Sequence, residues 1–476
     1  MLRPVAREQL QNVSSGDEAR YRERSLWLDG ITAPLTPRPA LSGDLDCDVA
    51  IVGAGFTGLW TAYYLKRAQP DLRVAVLEAE IAGYGPSGRN GGWVSSGIAA
   101  SPRAYERKSD RAAVVRATRE TFNTVDEIGE VAEREGIECG YLKAGMLTVA
   151  TTAPQEQRLS DSVRASHEVG MGADDLWLLG PAATEELAAI NRVRLASYTP
   201  HAARIDPARL VRGLAETCER NGVQIYEHTR ALDAGPGAVH CEAGTVRAEI
   251  VLRATEAYTS TLQGTSRNYL PLYSLMIATE PLPDEAWEQF RWSDGLLIGD
   301  RHHLFFYAQR TWDGRIAIGG RGAPYRLGRP VDERNERNDE VRTRLETALR
   351  WNFPIAADVP ITHHWGGPLA VPRDWSMSIS YDRKAGFGYA GGYVGHGVVA
   401  ANISGRTLSD LALGRDTELV TLPWVGHRSR KWEPEPLRYL ASTAIVRTLG
   451  SADRAEDRRG KRAWRTFVTS PFMPPQ

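Results

Sequence analysis

The chain is poor in cysteine. Its four, Cys47, Cys139, Cys218 and Cys241, are scattered, with no CxxC pair among them. A disulfide framework and a zinc site are therefore not expected, and a reducing cytosol fits. Net charge is also nearly missing: 58 basic residues against 59 acidic leave −1. Nothing electrostatic points to nucleic acid or an anionic membrane as a partner. No stretch approaches the roughly 20 apolar residues that cross a bilayer. The opening "MLRPVAREQLQNVSSGDEARYRERSLW" has no apolar core of signal-peptide type, so a cytoplasmic protein is expected. No internal repeat is visible. At 476 residues the chain has room for two or three units. Its 42% hydrophobic and 25% charged residues are the balance of a globular protein. The 13 tryptophans suit cores and small-molecule pockets alike.

The most informative stretch is "CDVAIVGAGFTGLWTAYYLKRAQPDLRVAVLEAE", residues 47–80. "DVAIVGAG" reads as a buried strand entering a tight turn. Gly53 makes the turn, Gly55 leaves room for a pyrophosphate, and Gly58 lets the next helix pack closely on the strand. "FTGLWTAYYLKRA" has helical spacing at Leu59, Ala62 and Leu65. Its first residues, Phe56 and Thr57, would turn free amides and a positive dipole end toward phosphates. "LRVAVLEAE" is a second buried strand, ending at Glu78. That acid lies about twenty residues past Gly58, where a ribose hydroxyl is expected. A dinucleotide site follows from strand, glycines, helix, strand and acid in register. The motif alone does not separate NAD from FAD.

Where a further βα unit would follow in an NAD domain, a glycine-dense loop appears instead, "IAGYGPSGRNGGWVSSG". Here the sequence resembles the D-amino-acid oxidase superfamily of flavoproteins, and most of all the branch with γ-glutamylputrescine oxidases and related amine oxidases. In that family the loop, here Ser87, Gly88, Arg89, Asn90, Gly91 and Gly92, runs along the pyrophosphate toward the flavin ring. "HAARIDPARLVRGLAETCERNGVQIYEHTRA" resembles the family's helix-then-strand unit. Asp206-Pro207 opens its helix, and the strand ends at Ala231 beside the adenine half of FAD. "GFGYAGGYVGHGVVAANISGRTLSDLALG" resembles the C-terminal flavin segment. Its strand ends at Gly391-Gly392, its turn carries Tyr393, Gly395, His396, Gly397 and Val398, and its helix runs to about Leu413. The amides of that helix would face the pyrimidine edge of the flavin, where reduction places negative charge. The resemblance covers roughly residues 25–445. One departure stands out: Glu256, in "VLRATEAYTSTL", occupies a position where the family has a small or amide residue.

The resemblance implies non-covalent FAD, because no cysteine follows Cys241 and relatives with covalent flavin use one there. It implies a mixed α/β fold: a Rossmann-like FAD-binding domain, an interleaved substrate domain on a mixed or antiparallel sheet, and a C-terminal helical tail. Residues 46–100, 200–265 and 370–415 would form the first, and 101–199 and 266–369 the second. Residues 1–45 would be a surface lead-in. The tail, 416–476, carries an apolar stripe (Leu437, Leu440, Ala444, Val446, Leu449) expected to pack on the body. Residues 109–136 read as one long helix. "YLKAGMLTVATT", "LYSLMIATEPL", "HHLFFYAQRTWDG" and "RIAIGG" read as strands, with a turn at Asp313-Gly314.

The activity implied is oxidation of a small amine or amino acid, by hydride transfer from the carbon bearing nitrogen to the flavin. The resulting imine hydrolyses to an aldehyde or keto acid, and oxygen reoxidises the flavin to give peroxide. Two alternatives stand beside it: a dehydrogenase or tailoring enzyme with another acceptor, and a non-catalytic FAD subunit. Relatives that react quickly with oxygen place a lysine above the flavin; "LYSLMIATEPL" has none. The cofactor carries the hard step, so no acid–base pair is required. His396 and Tyr393 are the candidates to face flavin or substrate. Trp93, His303, Arg310 and Trp365 are the candidate pocket residues, and Arg310 or Arg321 the candidate clamp for a carboxylate or phosphonate. The adjacent pairs His302-His303 and His363-His364 look metal-like, but neighbours on a strand face opposite ways, so no metal is expected. The sequence assigns neither the amine nor an oligomeric state.

Overall fold

The structure, a computed structural model, describes residues 15–97, 105–107, 109–328, 331–464 and 466. The side chain of Arg321 lies outside this description. The fold is mixed α/β, built on two eight-stranded sheets and one three-stranded sheet.

The first sheet grows from Leu45–Val52, which pairs in parallel with Val74–Leu77 on one side and Gly244–Arg253 on the other. Gln224–Tyr226 and Phe387–Gly391 extend it, also in parallel. Helices cover its faces, so both faces of these strands are buried, and "VAIV" and "VAVL" are unbroken apolar runs. The covering helices are Phe56–Ala68, Pro207–Arg220 and Gly397–Leu413. Asp206 starts the second of these by accepting the Arg209 amide at 3.0 Å.

The second sheet has the order Ile361–Val371, Leu270–Thr279, Ile316–Pro324, Phe306–Arg310, Leu297–Asp300, Met146–Ala150, Leu195–Thr199 and Trp177–Leu179. All its pairs are antiparallel except Leu297–Asp300 with Met146–Ala150. The turn at Asp313-Gly314 is closed by Thr311 and Arg315, whose backbones bond at 2.9 Å. Arg111–Arg134 is the expected long helix, capped by Asp110 on the Ala113 amide at 2.6 Å.

Two expectations fail. From Ser15 onward the lead-in is not draped over the surface. It forms the helices Ser15–Arg22 and Leu26–Asp29, and buries Tyr21, Leu26, Trp27, Leu28 and Leu35. Trp27 is the reason: its ring meets Trp365 edge-on, and its Nε1 donates to the Asn90 carbonyl at 2.7 Å. Ser25 Oγ donates to the Gly88 carbonyl at 3.0 Å. The lead-in therefore fixes the glycine-dense loop from behind.

The tail helix, Leu437–Arg459, does not bury its apolar stripe. Leu437 and Leu440 are 59% and 58% exposed, and of the stripe only Leu449 is buried. Its buried face is mixed: Arg438, Ser442, Asp453 and Glu456 stand beside Leu449, Ala452 and Ala455. The helix docks by hydrogen bonds, such as Asp453 accepting the His303 and Leu304 amides, each at 2.9 Å.

Trp27→Ala is expected to lower unfolding free energy by about 3–5 kcal/mol, the usual cost of a buried aromatic. Denaturant unfolding with and without flavin checks this. An unchanged midpoint would mean that the lead-in does not support the loop.

Candidate active site

The first strand ends in a turn that needs glycine. Gly53 has a φ of +106°, and a Cβ there would lie 2.8 Å from the Ala254 carbonyl oxygen. A Cβ on Gly58 would lie 1.9 Å from the Gly53 carbonyl oxygen. These two positions let the helix Phe56–Ala68 begin directly against the strand. Its N-cap, Gly55, offers no side chain. Ser87 Oγ, from the glycine-dense loop, accepts the Phe56 amide at 2.9 Å instead.

Glu78, at the end of the second strand, accepts the Ala54 amide at 2.8 Å and the Glu80 amide at 3.0 Å. Burial pushes its carboxyl up to about 7, against the lowering effect of those amides. It lines a cavity of about 520 Å³, a volume typical of small-molecule sites. Around Glu78 the wall is Gly53, Gly55, Phe56, Thr57, Thr229, Arg230 and Ala231. Ser87, Asn90 and Gly91 continue it along the loop, and Thr255, Glu256 and Tyr258 join from the segment after Arg253. Trp93, Phe305 and Tyr307 form an aromatic part, with the Trp93 and Tyr307 rings 5.7 Å apart and edge-on and Ser274 bonded to the Tyr307 hydroxyl. Tyr393, Gly395, His396, Gly397 and Val398 close it. Gly58, Gly88, Gly92 and Gly392 stand behind this surface and shape it through the backbone.

His396 is the N-cap residue of Gly397–Leu413, and its side chain makes no capping hydrogen bond. Its ring turns toward Gly97 and the cavity. Tyr393 is buried, and its hydroxyl shares a 2.8 Å hydrogen bond with Thr57 Oγ1. Burial raises that hydroxyl's pKa well above the ordinary tyrosine range. Tyr393 thus joins the C-terminal flavin-type turn to the first helix.

Arg89 lies in the cavity wall, but its guanidinium is turned into protein. Nε donates to the Gly85 carbonyl at 3.3 Å, one terminal nitrogen to the Gly366 carbonyl at 3.1 Å, and the other to Tyr258 Oη at 2.9 Å. Glu336 pairs with it at 2.7 Å. Burial opposes the charge, yet Tyr258 and Glu336 hold its pKa above the ordinary value. These acceptors make Arg89 a brace for the loop rather than a phosphate ligand.

Three expected pocket residues stand away from the cavity wall. Arg310 stacks its guanidinium over Trp287, 4.4 Å from the ring centroid. Trp365 is buried behind the loop, where Nε1 donates to the Arg89 carbonyl at 3.0 Å. His303 sits in a turn rather than a strand and faces the tail helix, 3.6 Å from Glu456. His303, Asp453 and Glu456 are close enough to resemble a metal site. Their carboxylates, however, already hold Arg158 at 2.7 Å and the backbone amides of His303, Leu304 and Ala463. Phe305, Tyr307 and Ser274 were missed by sequence reading. Phe305 and Tyr307 alternate around core residue Phe306 in "LFFYAQ", so period-two spacing was the available signal.

A sequence profile described as DAO, FAD dependent oxidoreductase, matches residues 48–411. The chain belongs to this family of FAD-dependent oxidoreductases. Curated DAO-type relatives include a probable oxidoreductase OrdL of Rhizobium meliloti, 29% identical over 83% of this chain and 89% of the relative. The γ-glutamylputrescine oxidoreductase of Escherichia coli is 28% identical over 79% of this chain and 86% of the relative. Among solved structures, glycine oxidase from Geobacillus kaustophilus superposes with a TM-score of 0.66 at 19% identity, covering 80% of this chain and 99% of that one. L-amino acid deaminase from Proteus myxofaciens gives 0.66 at 16% identity, over 85% and 96%. These likenesses show the fold.

FAD is the cofactor of this DAO-family chain, and the residues present fit it. Glu78 would offer carboxylate oxygens to a ribose, the close Gly53–Gly58 approach would clear the wall for phosphates, and the start of Gly397–Leu413 would offer amides. Gly58→Ala is expected to yield colourless protein that stays colourless with added FAD. Acid precipitation of the wild type is expected to leave all flavin in the supernatant. Yellow Gly58→Ala protein, or flavin in the pellet, would overturn these assignments.

Proposed function

We propose that the enzyme oxidises a small amine or amino acid in the cytoplasm and passes the electrons to oxygen, giving peroxide. The observation that carries this reading is one continuous cavity joining the Glu78 wall to the aromatic group of Trp93, Phe305 and Tyr307 beside His396. A relative named for γ-glutamylputrescine and fold neighbours named for glycine and L-amino acids point the same way.

FAD, when bound, supplies the two-electron acceptor for the carbon bearing nitrogen. The chain's own residues then have three tasks. Trp93, Phe305 and Tyr307 hold the substrate against apolar ring faces and keep water away. His396 places a titratable ring at the reacting end, next to the amides that begin Gly397–Leu413. Tyr393, fixed by Thr57, sets the position of that turn. Along the wall, Gly53, Gly55, Phe56, Thr57, Glu78, Ser87, Asn90, Gly91, Ala231 and Val398 are the cofactor contacts this reading assigns.

The test is aerobic turnover of amines, with peroxide and aldehyde or keto acid measured together. Equal yields of peroxide and carbonyl product are expected. Turnover with an artificial acceptor but no peroxide would make the enzyme a dehydrogenase. Trp93→Ala is expected to raise KM about tenfold, since burying an aromatic side chain is worth roughly 1.5–3 kcal/mol. A larger loss in kcat than in KM would remove Trp93 from substrate holding.

A further inference from the structure

Glu256 is a tightly held carboxylate in the cavity wall. Its backbone has a φ of +42°, a left-handed value that costs energy in any residue with a Cβ. Oε1 accepts the amides of Gly392 and Tyr393, each at 3.0 Å. Oε2 accepts the Ala370 amide at 2.8 Å. Ala370 belongs to the strand Ile361–Val371 of the second sheet, while Gly392 and Tyr393 follow the strand Phe387–Gly391 of the first. One side chain therefore ties both sheets together beside the cavity. Tyr393 continues the chain of bonds to Thr57 at the start of the first helix.

We propose that Glu256 is a positioning residue for FAD: its carboxylate fixes the turn 392–397 against the strand Ile361–Val371, and its charge couples cofactor affinity to protonation. This goes beyond the choice of amine and holds whichever substrate is oxidised. Three convergent amides are what a carboxylate satisfies and a glutamine does not, because an amide group turns one acceptor into a donor. The charge argument rests on the same surroundings. The titratable groups facing Glu256 are Tyr269 and Tyr393, which are uncharged, with Arg253 and Tyr389 beyond Tyr269. None of these forms an ion pair with it among the described residues. Burial accordingly pushes the carboxyl up to about 7, against the pull of the three amides. Only the ionised carboxylate accepts all three amides, so proton loss from Glu256 sets the turn and favours binding.

The sign for the apoprotein follows. A carboxyl whose folded pKa is raised favours the fold below its unfolded pKa, and that contribution is lost as pH rises through about 7. Glu78 shares this behaviour, so the reading is a difference between proteins.

The experiment measures the Kd of FAD for apoprotein at pH 6 and pH 8, in the wild type, Glu256→Gln and Glu256→Asp. Wild-type Kd is expected to fall from pH 6 to pH 8. Glu256→Gln is expected to bind about tenfold more weakly at pH 8, with the fall between the two pH values at least halved. Glu256→Asp keeps the charge but shortens the reach; it is expected to bind more weakly than the wild type at pH 8. If Glu256→Gln does not fold, the aspartate variant alone decides. Wild-type affinity at pH 8 in either variant, or an undiminished pH dependence in a folded Glu256→Gln protein, would overturn the proposal.

Discussion

A guanidinium with no exposed surface must be paired, and Arg89 is such a group. Breaking a buried pair of this kind costs about 3–5 kcal/mol. Its acceptors come from four stretches of chain: Gly85 in its own loop, Tyr258 after the Gly244–Arg253 strand, Glu336 before the helix Asp339–Asn352, and Gly366 in the second sheet. Glu336 also pairs with Arg24 of the lead-in at 2.5 Å. The loop that faces the cofactor is thus held by one buried charge whose partners span most of the chain. With Arg89 so engaged, its charge is spent on protein partners.

The cavity wall then divides its labour by chemistry. Backbone amides and the starts of two helices supply positive potential beside the half-exposed Arg230 of the wall. Two carboxylates, Glu78 and Glu256, stand in the wall with their pKa values raised by burial, and each accepts main-chain amides. Tyr307 of the aromatic group comes from the second sheet and Trp93 from the three-stranded sheet, both outside the sheet that carries Glu78. That arrangement suits a family whose relatives are named for several different amines and amino acids.

Much of this was legible in the sequence because the dinucleotide motif is local. Strand, turn, helix and acid lie within residues 47–80, and the flavin-type turn and its helix end where periodicity and glycines place them. The illegible part depends on partners distant in sequence. Arg89 looks like a phosphate ligand until Tyr258, Glu336 and Gly366 surround it. Trp365 looks like a pocket wall until the lead-in's Trp27 covers it. The tail helix shows an apolar stripe yet buries Asp453 and Glu456, because the turn at His303 offers amides and a ring to them. Each case is a polar group whose partner lies far away in sequence.

In the proposed function this cavity brings an amine to FAD. The most direct measurement is an anaerobic titration of the holoprotein with amines of each class, following the visible absorbance of the oxidised flavin. The account predicts stoichiometric bleaching by at least one amine or amino acid, restored on admitting oxygen. Flavin that dithionite bleaches but no amine or amino acid does would contradict it.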